Sequence, residues 1–227
     1  MARQAWECRN AVLFTRIRAS FLARRLLQNR GHFEEAYELS KETINLLPYV
    51  HNRSLDHQDQ QYVVSQFSGL AAVACSLALQ SGKSAEEALE ILEQGRGVIL
   101  GLLIDDRSDT SNLNAAYPQL FAHYESLRIE LNKPIEDVID SHPREIASKR
   151  RTDVITELEK CIQHIQQLPG FEEFQKGLTA KQMQNCSTKG SIIGVNMTDL
   201  RSDAIIITPN GFKAFSLSAL CARQAKD

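Results

Sequence analysis

The stretch SAEEALEILEQGRGVILGLLIDDRSD, from Ser84 to Asp109, constrains this chain more than any other. On a helix, Leu89, Leu92, Ile99 and Leu103 line one face, and Ala88, Ile91, Val98 and Leu102 line another. A helix apolar on two faces is sandwiched between other elements. Ser84-Ala85-Glu86-Glu87 fits a capping box, in which Ser84 accepts the Glu87 amide and Glu87 reaches back to the Ser84 amide. Gly95, Gly97 and Gly101 interrupt the element at roughly 1 kcal/mol each relative to alanine. That cost points to a neighbouring backbone in close approach, or to a bend. Helices before this stretch and a sheet after it are expected to pack around it.

The preceding segment reads as helices. Residues 2 to 29 predict a helix broken near Asn10 and ended by Gly31, with Phe14, Ile17, Phe21, Leu22 and Leu26 as its apolar stripe. Phe33 to Leu47 predicts the next helix, stopped by Pro48, and the short turn between them makes the two antiparallel neighbours. Gly31-x-Phe33-x-x-Ala36, with Pro48 twelve residues on, resembles the second half of a tetratricopeptide repeat. The first half departs from that pattern, since Arg24 stands where the repeat carries a small residue. After a connector to Gln58, Asp59 to Gln80 predicts a third helix, rich in small residues that allow close helix contact.

Beyond the central stretch, Asp105 to Asn114 reads as a polar break and Ala115 to Leu131 as a helix with Pro118 in its first turn. Asn132 to Pro143 reads as a linker, and Arg144 to Leu168 as a long helix ended by Pro169-Gly170. Phe171, Phe174 and Leu178 suggest a short helix, and Thr179 to Gln184 one more turn. After Gly190 the period changes. Ser191 to Met197, Asp203 to Thr208 and Phe212 to Leu217 predict three strands, with Pro209-Asn210-Gly211 as a turn. The continuous Ile205-Ile206-Ile207 suggests a middle strand covered on both faces.

Apolar residues make up 43% of the 227 residues, enough for a sizeable core. The net charge of -2 argues against a dedicated nucleic-acid binder. The charge is uneven, for residues 1 to 30 hold seven arginines against Glu7 alone. Such a start also fits a mitochondrial transit peptide, although a repeat helix with a solvated basic face is the preferred reading. The first charges precede no uninterrupted apolar core, so no signal peptide is expected. The longest apolar run, Val98 to Ile104, falls short of the ~18 residues that span a bilayer. Five scattered cysteines without a CxxC suggest a reducing, cytoplasmic location rather than a disulfide framework. His51 and His57 lie apart from any cysteine, and no metal or cofactor is expected.

Several residues carry a chemical signal with a plainer alternative. Cys186 and Cys221 lie in or beside the strand region, but neither has a histidine near in sequence, and both read as structural or incidental. Gly82-Lys83-Ser84 mimics the end of a phosphate loop, yet Leu77 stands where the loop needs its first glycine and no strand precedes it. Arg96 is expected to pair with a carboxylate on an adjacent helix rather than with a peptide ligand. Asp105, Asp106 and Asp109 lack the remaining oxygen ligands of a calcium loop and read as a helix terminus and turn. Lys149-Arg150-Arg151 reads as a solvated helix face rather than a localisation signal.

Degenerate repeat helices leading into EALEILEQGRGVILGLLID, a connector ending in LPGFEEF, and KGSIIGVNMTDLRSDAIIITPNGFKAFSL together resemble fungal proteins in which tetratricopeptide repeats precede a CHAT domain. Glu87 to Asp106 and Gly190 to Leu217 carry most of this resemblance, which covers roughly residues 6 to 220. It implies a caspase-like α/β sheet flanked by helices, and a histidine–cysteine pair that attacks peptide carbonyls. The positions matching that pair would lie beyond Asp227, so no residue here inherits a catalytic role. The expected architecture is mainly α: a TPR-like helical region over 1–131, linker and connector helices over 132–184, and the first three strands of a CHAT-type sheet over 185–227. The expected function is a non-catalytic scaffold that binds a protein or peptide through its repeat helices, with neither nucleic acid nor membrane as partner. The alternative is a caspase-like cysteine peptidase whose catalytic half is missing. An incompletely covered sheet is also expected to associate through its edge, because each isoleucine left partly wet forfeits up to roughly 1.5–3 kcal/mol.

Overall fold

A helix of six residues and one of seventeen open the chain. A computed structural model describes residues 2–8, 11, 13–49, 67, 69–103, 108–132, 141–175 and 177–220. Helix α1 spans Ala2–Glu7, α2 Leu13–Asn29 and α3 Phe33–Leu46, the last running into a 3-10 turn at Leu47–Tyr49. Gly31 adopts φ +77. Its amide bonds to the Gln28 carbonyl at 3.1 Å and that of His32 to the Leu27 carbonyl at 3.0 Å, the paired bonds of a left-handed helix stop. The chain is mainly helical, with a small three-stranded antiparallel sheet at its C-terminal end.

Helix α4 spans Leu70–Gln80 and α5 Ala85–Leu103. The expected helix from Asp59 is not continuous to Gln80. Residues 59–66 lie outside the described residues, and Gly69 at φ +81 precedes the first turn of α4. A left-handed residue cannot propagate a right-handed helix. The α4–α5 turn repeats the device seen at Gly31. Gly82, at φ +82, donates to Leu79 at 3.3 Å, and Lys83 to Ala78 at 2.9 Å.

Ser84 then accepts the Glu87 amide at 3.1 Å. The other half of the expected capping box is replaced, because the Glu87 carboxylate accepts the Tyr37 hydroxyl at 2.7 Å. A buried phenol needs a partner more than a solvent-facing amide does.

The expected polar break at Asp105–Asn114 is corrected in its second half. Residues 104–107 lie outside the described residues, but α6 spans Ser108–Ala116. Its composition favours turns, and the fully buried Leu113 is what holds it as a helix. The helix expected from Ala115 starts three residues later: after Tyr117, α7 spans Pro118–Asn132, and Pro118 takes its first position, where a missing amide costs little. Most of the expected linker lies outside the described residues, and α8 spans Ser141–Gln166. Phe171 and Phe174 do not begin a helix. They sit in turns after Gly170 (φ +86), held by the buried Phe174 ring and by Gln166, whose amide donates to the Phe174 carbonyl at 2.8 Å. Helix α9 spans Ala180–Cys186, and there the Thr179–Gln182 capping box is complete.

Strands β1 (Ile192–Met197), β2 (Ser202–Thr208) and β3 (Gly211–Ser216) pair in that order, each antiparallel to the next. The chain falls into two compact units. One comprises residues 1–23, 45–64 and 100–176, the other 24–44, 65–99 and 177–227. In the first, α6 packs on α7 and α7 on α8 around Leu113, Tyr124, Leu127, Leu131, Leu158 and Ile165. In the second, α4 lies on β1 and α9 on β2. These helices cover the face carrying Ile205 and Ile207, which are buried, whereas Ile206 on the other face is only half-buried. The expectation of a doubly covered middle strand is therefore corrected. Among the described residues helices cover one face, and on the other Ile206 lies between its cross-strand partners Ile193 and Lys213.

Candidate functional site

The residues singled out for chemistry are mostly absorbed into the fold. Cys75 is fully buried on α4, where burial, and next the charge of Asp203, push its thiol up to about 12. A thiol so shifted is not a nucleophile near neutrality. Cys161 is buried in α8, and burial pushes its thiol up too. Cys186 is exposed at the end of α9, and Cys221 lies outside the described residues. His32 and His123 sit against Glu35 and Glu157, at 2.8 and 3.5 Å. His51, His57, Asp105 and Asp106 lie outside the described residues, and Asp109 falls in the first turn of α6.

Gly82-Lys83-Ser84 is the turn between two helices. Lys83 meets Glu34 at 2.7 Å, and each of the pair shifts the other toward its charged form through that hydrogen bond. Arg96 pairs with Glu93 at 3.0 Å, on its own helix rather than on the neighbouring one expected. Arg150 pairs with Glu130 on an exposed surface. Among the described residues, no cluster of histidine, cysteine or acid is arranged to hold a metal, and no helix is long and apolar enough to cross a membrane.

A polar lock joins α4 to the β1–β2 turn. The Asn196 amide, on the covered face of β1, donates to the Ala72 carbonyl and the Ser76 hydroxyl, both at 3.0 Å. Ser76 also meets the Thr198 hydroxyl at 2.9 Å. Arg201 grips the wholly buried Asp203 with two parallel bonds, at 2.8 and 2.7 Å, and reaches Gln80 at 3.3 Å. A bidentate guanidinium satisfies both carboxylate oxygens at once. These groups are spent on one another, which makes the lock a structural device that sets strand register.

An exposed surface with both apolar and basic residues lies on α2. Thr15, Arg18, Leu22, Arg25, Leu26 and Asn29 are all exposed, and at 100° per residue they share one arc of the helix. Leu22 is 62% exposed and Leu26 52%. Their assignment to the buried stripe is thus corrected. Leu13, Ile17 and Ala23 form the buried side, joined by Arg16, whose Nε donates to the Trp6 carbonyl at 3.2 Å and whose guanidinium stacks over the Trp6 ring.

No acid interrupts α2. Arg24 is largely buried and shifted down, by burial first and by Arg25 second. The signal was present in the sequence, since Leu22 and Leu26 share their arc with Arg18 and Arg25, but the strong local apolarity of FLARRLL masked it.

No family model, curated protein or solved structure matches this chain.

Proposed function

We propose that the protein is a non-catalytic helical scaffold that binds a protein partner through the exposed arc of α2. The observation that carries this reading is the pair of exposed leucines set among cations on a helix without a single acid. Two leucines in that setting suit a helical segment with apolar residues at i and i+4 spacing and acids around them. The buried thiols and the self-satisfied Arg201–Asp203 pair favour binding over covalent chemistry. The reading includes membership of the fungal tetratricopeptide-repeat/CHAT group and a reducing, cytoplasmic location, for which the free Cys8, Cys75, Cys161 and Cys186 are support.

The experiment is fluorescence anisotropy of the full chain with an acidic, leucine-bearing helical peptide as probe. Binding that falls with salt, and that drops at least tenfold in Leu22→Gln and in Arg25→Glu, is expected. Equal binding by both variants removes α2 as the site. The second reading is a caspase-like cysteine peptidase, favoured by one observation, a sheet face that no helix covers among the described residues. Thiol-dependent cleavage of a peptide library by the chain would replace the first reading with this one.

A further inference from the structure

The outer edge of β1 is a self-complementary strand, and we infer that it pairs antiparallel with β1 of a second copy of this chain about a two-fold axis at Val195. The register establishes which backbone groups face outward. The Leu217 amide donates to the Ser202 carbonyl at 2.8 Å and the Thr198 amide to the Arg201 carbonyl at 3.1 Å. In an antiparallel ladder hydrogen-bonded pairs alternate with non-bonded ones. Ser202, Ala204 and Ile206 therefore bond toward β3, and Asp203, Ile205 and Ile207 toward Asn196, Gly194 and Ile192. The N–H and C=O groups left facing the open edge belong to Ile193, Val195 and Met197, and no described segment pairs with them.

The same three side chains stand on the uncovered face, 62%, 48% and 40% exposed, beside Phe215 at 51%. With Val195 opposite its own copy, Ile193 faces Met197 of the partner, and every outward N–H and C=O finds a mate. Edge strands are ordinarily guarded by charge, proline or a bulge. From Ile192 to Met197 there is no charge and no proline, and the register runs without a bulge. The opposite edge strand carries Lys213. A net charge of -2 sets little repulsion against self-association. Pairing through a single six-residue strand makes a small interface, so the dimer is weak.

Analytical ultracentrifugation of the full chain from low to high micromolar concentration tests this, together with two substitutions. Val195→Lys keeps the exposed backbone but opposes two charges at the axis, and is expected to weaken association at least tenfold. Val195→Cys, in a background with Cys8, Cys186 and Cys221 changed to serine, is expected to oxidise to a dimer, because paired Cα atoms about 5.5 Å apart accept a disulfide. Ile193→Cys in the same background is expected not to, its copies lying four positions out of register. A dimer insensitive to Val195→Lys, or equal cross-linking by both cysteine variants, overturns the proposal. A monomer at all concentrations overturns it as well. Slow amide exchange at Ile193, Val195 and Met197 in that monomer would assign the edge to a strand of the same polypeptide.

Discussion

The Gly95 backbone lies so close to Ala71 that a Cβ built on Gly95 would stand 2.6 Å from the Ala71 Cβ and 3.2 Å from its Cα. One glycine of the central helix thus has its reason in a helix crossing. Gly97 does not, for nothing stands within 4 Å of its missing Cβ. Gly95→Ala is expected to destabilise by about 1–3 kcal/mol through overpacking, and Gly97→Ala to stabilise by up to ~1 kcal/mol through helix propensity. Urea denaturation of the two variants checks the contrast, and equal effects would refute the crossing as the cause.

Removing Arg201 leaves the wholly buried Asp203 carboxylate without its bidentate partner. Arg201→Ala is expected to cost about 3–5 kcal/mol. Removing both partners, in Arg201→Met with Asp203→Leu, is expected to cost less than Arg201→Ala alone, since no charge is stranded. Equilibrium unfolding of the variants gives the comparison, and a double variant less stable than Arg201→Ala contradicts the pairing argument.

Burial holds the Cys75 thiol up to about 12, above the ordinary value near 8.5. The folded state then keeps a proton that the unfolded state has released. The resulting stabilisation is complete below about pH 8.5 and lost as pH rises toward 12, by at most ~1.4 kcal/mol per pH unit. Burial first, and then the bond to Glu87, raise the Tyr37 phenol in the same direction. Cys75→Ala is expected to flatten the alkaline fall in stability between pH 9 and 10.5. A fall as steep as that of the parent chain in urea titrations would place its origin elsewhere. At pH 8, iodoacetamide is expected to label Cys8 and Cys186 in the folded chain and Cys75 only after denaturation.

Leu113 anchors a helix whose composition alone argues for a turn. Leu113→Ala is expected to cost about 2–5 kcal/mol and to raise amide exchange throughout α6. In contrast, Leu22→Gln, on the exposed arc of α2, is expected to change stability by less than ~0.5 kcal/mol. Thermal unfolding separates the two, and a large loss for Leu22→Gln would show that this face is covered.

Local chemistry was legible wherever it decides the outcome within a few residues. Gly31 and Gly170 ended helices, Pro118 began one, Ser84 capped one, and the change of period after Gly190 marked three strands, because backbone preference and apolar spacing act over a single turn or hairpin. Tertiary structure decided the rest. Whether Glu87 would turn to its own amide or to Tyr37, whether Leu22 would be inside or out, whether SDTSNLNAA would coil or wind around Leu113, and whether Ile206 would meet a helix all depend on partners distant in sequence. The Lys83 side chain of the phosphate-loop mimic met the same fate, for it found Glu34 on helix α3. A sequence specifies which residues need to be buried or paired, but the choice of partner is a long-range packing matter, settled only when the whole chain has closed.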